Sequence, residues 1–221
     1  MSDKLISLKD FDESEMQLGV FLQRTGQDSF HTGVFCKFDQ EVRIVELAFD
    51  HLLQDIPGDI LNDKERFTIK NDIPLAIQLD LNGAFRYAVK EFKNDIPYGL
   101  TYHGTKIIKD HNTVIYEGKD YGLTCSTFIM AVFKGLDQDL ININEWDERE
   151  EDKDVHKKLV QLLKKYGVQN IEKLENDIGC ARFRPEEVTA ASSFEDIPAS
   201  TLEIRQRGKE LKDEIIQKTS K

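Results

Sequence analysis

Apolar and polar positions alternate most clearly over residues 30–38 (FHTGVFCKF) and 42–49 (VRIVELAF), with only Asp39, Gln40 and Glu41 between the two stretches. Both are rich in β-branched and aromatic residues, and the pattern predicts a β-hairpin. With the turn centred on Asp39–Gln40, residue i pairs with residue 79 − i, which sets His31 opposite Ala48. The short apolar patch from Leu18 to Leu22 fits either a strand or a turn of helix. Residues 50–74 carry Pro57, Gly58 and Pro74 and read as mostly irregular. The period then changes: Leu81, Phe85, Ala88, Val89 and Phe92 recur at helical spacing between Leu79 and Phe92. Gly83 lies inside that stretch, at a usual cost of about 1 kcal/mol. Strands are expected at Lys106–Lys109 and Thr113–Tyr116. They lead into YGLTCSTFIMAVFKGL, where Phe128 to Phe133 are apolar on every side, the mark of a buried helix. The acidic run Asp147–Asp154 precedes an amphipathic helix with Val155, Leu159, Leu162, Leu163 and Tyr166 on one face. Negative charge there complements the helix dipole, so the run reads as a solvated helix entrance. Pro185 with Glu186 and Glu187 marks a further short helix, and Thr201–Lys218 a surface helix.

Composition narrows the class. A chain of 221 residues without repeats or a Pro/Gly/Ser-rich linker is expected to form one domain, large enough to need no metal or disulfide staple. Lys and Arg number 30 against 41 Asp and Glu, for a net charge of −11, and the basic residues are scattered. Tight binding to nucleic-acid phosphates or to an anionic membrane is therefore not expected. The longest apolar run is about six residues, too short for a transmembrane segment. The acidic start MSDKLISLKDFDESE lacks the layout of a secretory signal. Three cysteines without close spacing argue for a reducing compartment. The expectation is a soluble cytoplasmic protein, with export by a dedicated machine as the variant that a missing signal allows.

Three residues draw chemical interest. Thr124 is a good N-cap, which puts Cys125 in the first turn of the buried helix. Unpaired N–H groups and the dipole there lower a thiol pKa and could hold an oxyanion. An inert core cysteine is the competing reading, and it fits Cys36 and Cys180, which sit at no helix start. His31 shares a strand face with residues 33, 35 and 37, and Gly33 leaves space beside the imidazole, as a substrate channel would need. In the expected register Glu46 falls on the same face, one diagonal step away, where a carboxylate could orient the ring. A shift of one residue would move it to the other face, and an ordinary strand histidine is the alternative for His31. His51 is the substitute for the third position. His103 and His111 flank a loop before Cys125, and His156 is expected to face solvent. No paired Cys/His spacing marks a zinc site, and no glycine motif marks a nucleotide site.

The order of these parts resembles a family. His-x-Gly-Val-Phe opening a strand, Val-Glu-Leu-Ala ending the next, and a distant Thr-Cys-Ser-x-Phe opening an apolar helix are similar to the circularly permuted papain-like amidases. These belong to the NlpC-type superfamily, which includes the lecithin retinol acyltransferase-like proteins. The histidine precedes the cysteine by 94 residues, as in the permuted group and opposite to ordinary papain-like enzymes. The resemblance covers roughly residues 30–136, with Arg184-Pro185-Glu186-Glu187 as a weaker match to that family's later helix start. It implies a single α+β domain in which an antiparallel sheet packs on the cysteine helix, here with an insertion at about 50–110 and a C-terminal helical extension. It further implies a thiol-dependent hydrolase or acyltransferase that needs no metal or organic cofactor and acts on a peptide, amide or lipid-ester substrate. Cys125 would be the nucleophile, His31 the general base and Glu46 the third polar residue. The insertion departs from the compact members and leaves specificity, like oligomeric state, unread. The rival from another class is a papain-like scaffold without chemistry, serving as a binding protein. A delivered toxin acting on cell-wall peptides would keep the chemistry and change the compartment.

Overall fold

The alternation over residues 30–49 does produce a hairpin, formed by β3 (Phe30–Phe38) and β4 (Glu41–Phe49). Its pairs Val34↔Val45, Phe35↔Ile44 and Cys36↔Arg43 follow the expected register. The computed structural model describes residues 5–8, 16–38, 41–58, 65–110, 113–117 and 121–220, so the hairpin turn and His111 lie outside the described residues. Around the hairpin stand β1 (Ile6–Ser7), β2 (Leu18–Arg24), β5 (Leu52–Pro57) and β6 (Arg66–Thr68). The six strands form one antiparallel sheet in the order β1-β6-β2-β3-β4-β5. A smaller sheet pairs β7 (Ile107–Asp110) with β8 (Thr113–Tyr116). The helices are α1 (Leu75–Phe92), α2 (Cys125–Gly135), α3 (Glu150–Lys165), α4 (Ile171–Asn176), α5 (Pro185–Ala191) and α6 (Thr201–Thr219). The architecture is α+β, with helices packed against an antiparallel sheet.

Strand alternation sorts the sheet into two faces. Leu18, Val20, Val34, Cys36, Val45 and Leu47 join the main core with α1 and with α2, whose residues from Ser126 to Phe133 are all buried. The apolar run of α2 is thus explained by contacts on every side. Phe21, Phe35 and Ile44, on the other face, pack with Leu8 and Met16 in a second cluster. The β3–β4 ladder goes no further than Val34↔Val45 among the described residues, while β2 stays paired with β3 as far as Arg24↔Phe30. The stretch from Phe30 to Gly33 therefore keeps its β2 partner and lies beyond the end of the β3–β4 ladder.

Residues 50–74 are largely without regular structure among the described residues, as expected, but they also supply the short strands β5 and β6. These strands are short and carry no sustained alternation, which hid them. Helix α3 buries the stripe Asp152, His156, Val160 and Leu163, whereas Val155, Leu162 and Tyr166 are exposed. His156 is thus inside and not solvent-facing, and its Nδ1 accepts the Gly179 N–H at 3.3 Å. The acidic run is solvated as expected at Asp147, Glu148, Glu150, Glu151 and Asp154, and the exception is Asp152, fully buried among arginines. Among the described residues no helix is long and apolar enough to cross a membrane.

Candidate active site

The approach to α2 is built by backbone. Leu123 bridges in parallel to Tyr98, its N–H donating to the Pro97 carbonyl at 2.9 Å. Gly122 makes this possible: its φ is +71°, and a Cβ there would lie 2.7 Å from the Pro97 carbonyl oxygen. Thr124 then caps the helix as expected. Its hydroxyl accepts the Thr127 N–H, and its own N–H donates to the Thr127 hydroxyl at 2.7 Å. The cap fixes Cys125 at the first helical position, partly exposed.

Cys125 meets β3 beyond the end of the β3–β4 ladder. The His31 ring, the Thr32 backbone N–H and the Ser126 hydroxyl lie where each favours a negative charge on the sulfur. Burial alone would raise the thiol pKa, but the imidazolium charge, these hydrogen bonds and the helix start together hold it below its ordinary value. His31 responds in the opposite direction. Burial disfavours its cation, yet the charge and hydrogen bond of Cys125, joined by Glu46, push the imidazole up to about 10. With one group raised and the other lowered, the thiolate–imidazolium form is favoured over the neutral pair.

Glu46 shares the sheet face with His31, its Oε2 lying 3.2 Å from His31 Nε2. This contact and the carboxylate charge both favour the protonated ring. With Nε2 toward Glu46, the other ring nitrogen is left for the sulfur. Cys125, His31 and Glu46 are thus brought together from α2, β3 and β4. His51 is not: it sits at a turn with φ +53°, its Nδ1 is 3.1 Å from the Asn94 carbonyl and its ring is half exposed. His103 is exposed and packs on the Tyr121 ring at 4.4 Å.

Gly33 does not open a channel. A Cβ there would come within 2.7 Å of the Phe21 ring and 2.9 Å of Glu46 Cβ, so the glycine exists to let both approach. Gly33→Ala should therefore cost about 1–3 kcal/mol by overpacking. Because Glu46 must shift, the variant should also slow thiol alkylation near pH 6. Chemical denaturation and alkylation rates check the two effects.

Sequence reasoning missed Arg66, on β6, whose Nη2 lies 3.8 Å from Glu46 Oε2. A three-residue strand with one arginine carries no signal of a buried charge. It also missed the Thr32 N–H and the Ser126 hydroxyl, which favour the Cys125 thiolate once the fold sets the start of α2 against β3. Among the described residues no group of three or more His, Cys, Asp or Glu side chains is arranged to hold a metal ion. No family model, curated protein or solved structure matches the chain.

Proposed function

We propose that the protein is a thiol-dependent acyl-transfer enzyme, a hydrolase or acyltransferase working through Cys125, His31 and Glu46, on a scaffold of the circularly permuted papain-like kind. The observation that carries this reading is the convergence of a capped helix-start cysteine, a strand histidine and a carboxylate from three separate elements. The order of histidine strand before cysteine helix and the sheet packed on α2 support the scaffold.

In this account the Cys125 thiolate attacks an ester or amide carbonyl carbon, forming a C–S bond and moving the carbonyl electron pair onto oxygen. The N–H groups of Cys125 and Ser126 at the helix start hold that oxyanion. Imidazolium His31 gives its proton to the departing alcohol or amine as the C–O or C–N bond breaks, leaving an acyl thioester. Neutral His31 then takes a proton from water, or from an acceptor alcohol or amine, which attacks the thioester and expels the thiolate. Glu46 stabilises the cationic ring whenever it carries the proton.

The test is incubation with p-nitrophenyl acetate and mass spectrometry of the quenched protein. Acetylation of Cys125 that turns over is expected. Acetylation at surface lysines only, equal in Cys125→Ser, would overturn the reading and favour a binding scaffold. Glu46→Gln keeps the size and removes the charge, so deacylation and acylation should fall about 10- to 100-fold with the fold retained. Unchanged rates would reduce the site to a dyad.

A further inference from the structure

Arg66 is 5 % exposed, its guanidinium lies 5.3 Å from the centre of the Phe21 ring, and its Nε has no hydrogen-bond partner among the described residues. A buried guanidinium stays protonated and is costly without a counter-charge. It pairs with Glu46, at 3.8 Å, on the oxygen that also faces His31. The sheet explains the placement. Arg66 pairs with Gln23, Gln23 pairs with His31, and all three point to one face.

From this geometry we infer that Arg66 is a positioning residue that completes an alternating row of charges, Cys125 thiolate, His31 imidazolium, Glu46 carboxylate and Arg66 guanidinium. The inference rests on the thiolate–imidazolium reading of the site. Without Arg66, two anions would share one cation, and the cheapest relief is a proton on the thiolate or on Glu46. With Arg66 the row is neutral, and thiolate and carboxylate can coexist. The cross-strand neighbours Gln23 and Gln54 are uncharged, and Arg24 turns away to Gly26, Gln27, Thr219 and Ser220. The Tyr98 phenol, ahead of α2, also faces the Cys125 charge; burial first and that charge second push its pKa up, so it stays neutral and adds no charge to the row.

The readout is the pH dependence of iodoacetamide alkylation at Cys125, followed by mass spectrometry. Removing one positive charge from the row should move the acid limb up by about one pH unit in Arg66→Gln. Arg66→Lys should bring it most of the way back. The double variant Arg66→Gln/Glu46→Gln removes both charges of the pair and should return the limb toward the wild-type position. It also covers the case in which the single variant does not fold. A purely structural arginine would lower folding stability and leave the midpoint in place in every folded variant, which would overturn the inference. So would a double variant no different from the single one. An ordinary thiol profile in the wild type would instead overturn the thiolate–imidazolium reading, which separates the two failures.

Discussion

Cys125→Ser should lower acyl transfer to p-nitrophenyl acetate by about 10⁴-fold or more, the scale of losing a nucleophile in a coupled constellation. The hydroxyl is close in size to the thiol, so the folded state should survive. Its proton, however, is far harder to remove. His31, the Thr32 N–H and the Ser126 hydroxyl lower the pKa of a thiol, and none of them brings an alcohol to its anion near pH 7. Wild type and variant should show the same circular dichroism and the same denaturation midpoint within error. A variant that retains turnover would place the chemistry elsewhere.

The largest effect on stability is expected at Asp152. Its carboxylate is fully buried on α3 and meets Arg149 at 2.8 Å, Arg184 at 2.9 Å and Arg182 at 3.3 Å. Arg149 also pairs with both Glu187 carboxylate oxygens and lies over Trp146, which stacks on Phe183. The network ties α3 to the start of α5, whose Thr189 hydroxyl lies 3.2 Å from that of Thr32 beside the site. Asp152→Ala would leave three guanidinium groups to share Glu187 and Glu151, with Arg182 losing its acidic partner, at a cost of about 3–5 kcal/mol. Burial works against the Asp152 carboxylate, but Arg149, Arg184 and Arg182 hold its pKa below the ordinary value. A depressed carboxylate contributes stability that is present above its unfolded pKa of about 3.9 and is lost as pH falls through its lower folded value. Wild type should therefore weaken in that acid range more steeply than Asp152→Ala. Urea denaturation at neutral and acid pH measures both the loss and the slope.

What was legible in the sequence follows a physical line. The hairpin register could be read because the alternation of 30–49 runs for many residues and Asp39–Gln40 leaves little freedom to the turn. From that register came the placing of Glu46 beside His31. The α2 start was legible because Thr124 is a strong cap and the following residues are apolar all round. Arg66 and Asp152 were hidden, because a buried charge looks like a surface one until its partners, far away in sequence, are known. The α3 face was misread for the same reason. Asp152 and His156 occupy core positions that polarity alone assigns to solvent, and the apolar stripe of Val155, Leu162 and Tyr166 took their place in the reading. Gly33 was recognised as unusual, but only the Phe21 ring and Glu46 explain why no side chain fits there.

The central claim, that Cys125 is a thiolate held by His31, is tested most directly by alkylation of all three cysteines as a function of pH. Burial raises the Cys36 and Cys180 thiols, so both should react slowly and only as the pH climbs. Cys125 should react fast below pH 7, where a thiol of ordinary pKa, about 8.5, is mostly protonated. In His31→Ala its acid limb should move up toward that of an ordinary thiol, stopping short because the helix start and the Thr32 and Ser126 donors remain. A Cys125 profile that is ordinary in the wild type and unchanged in His31→Ala would contradict the account.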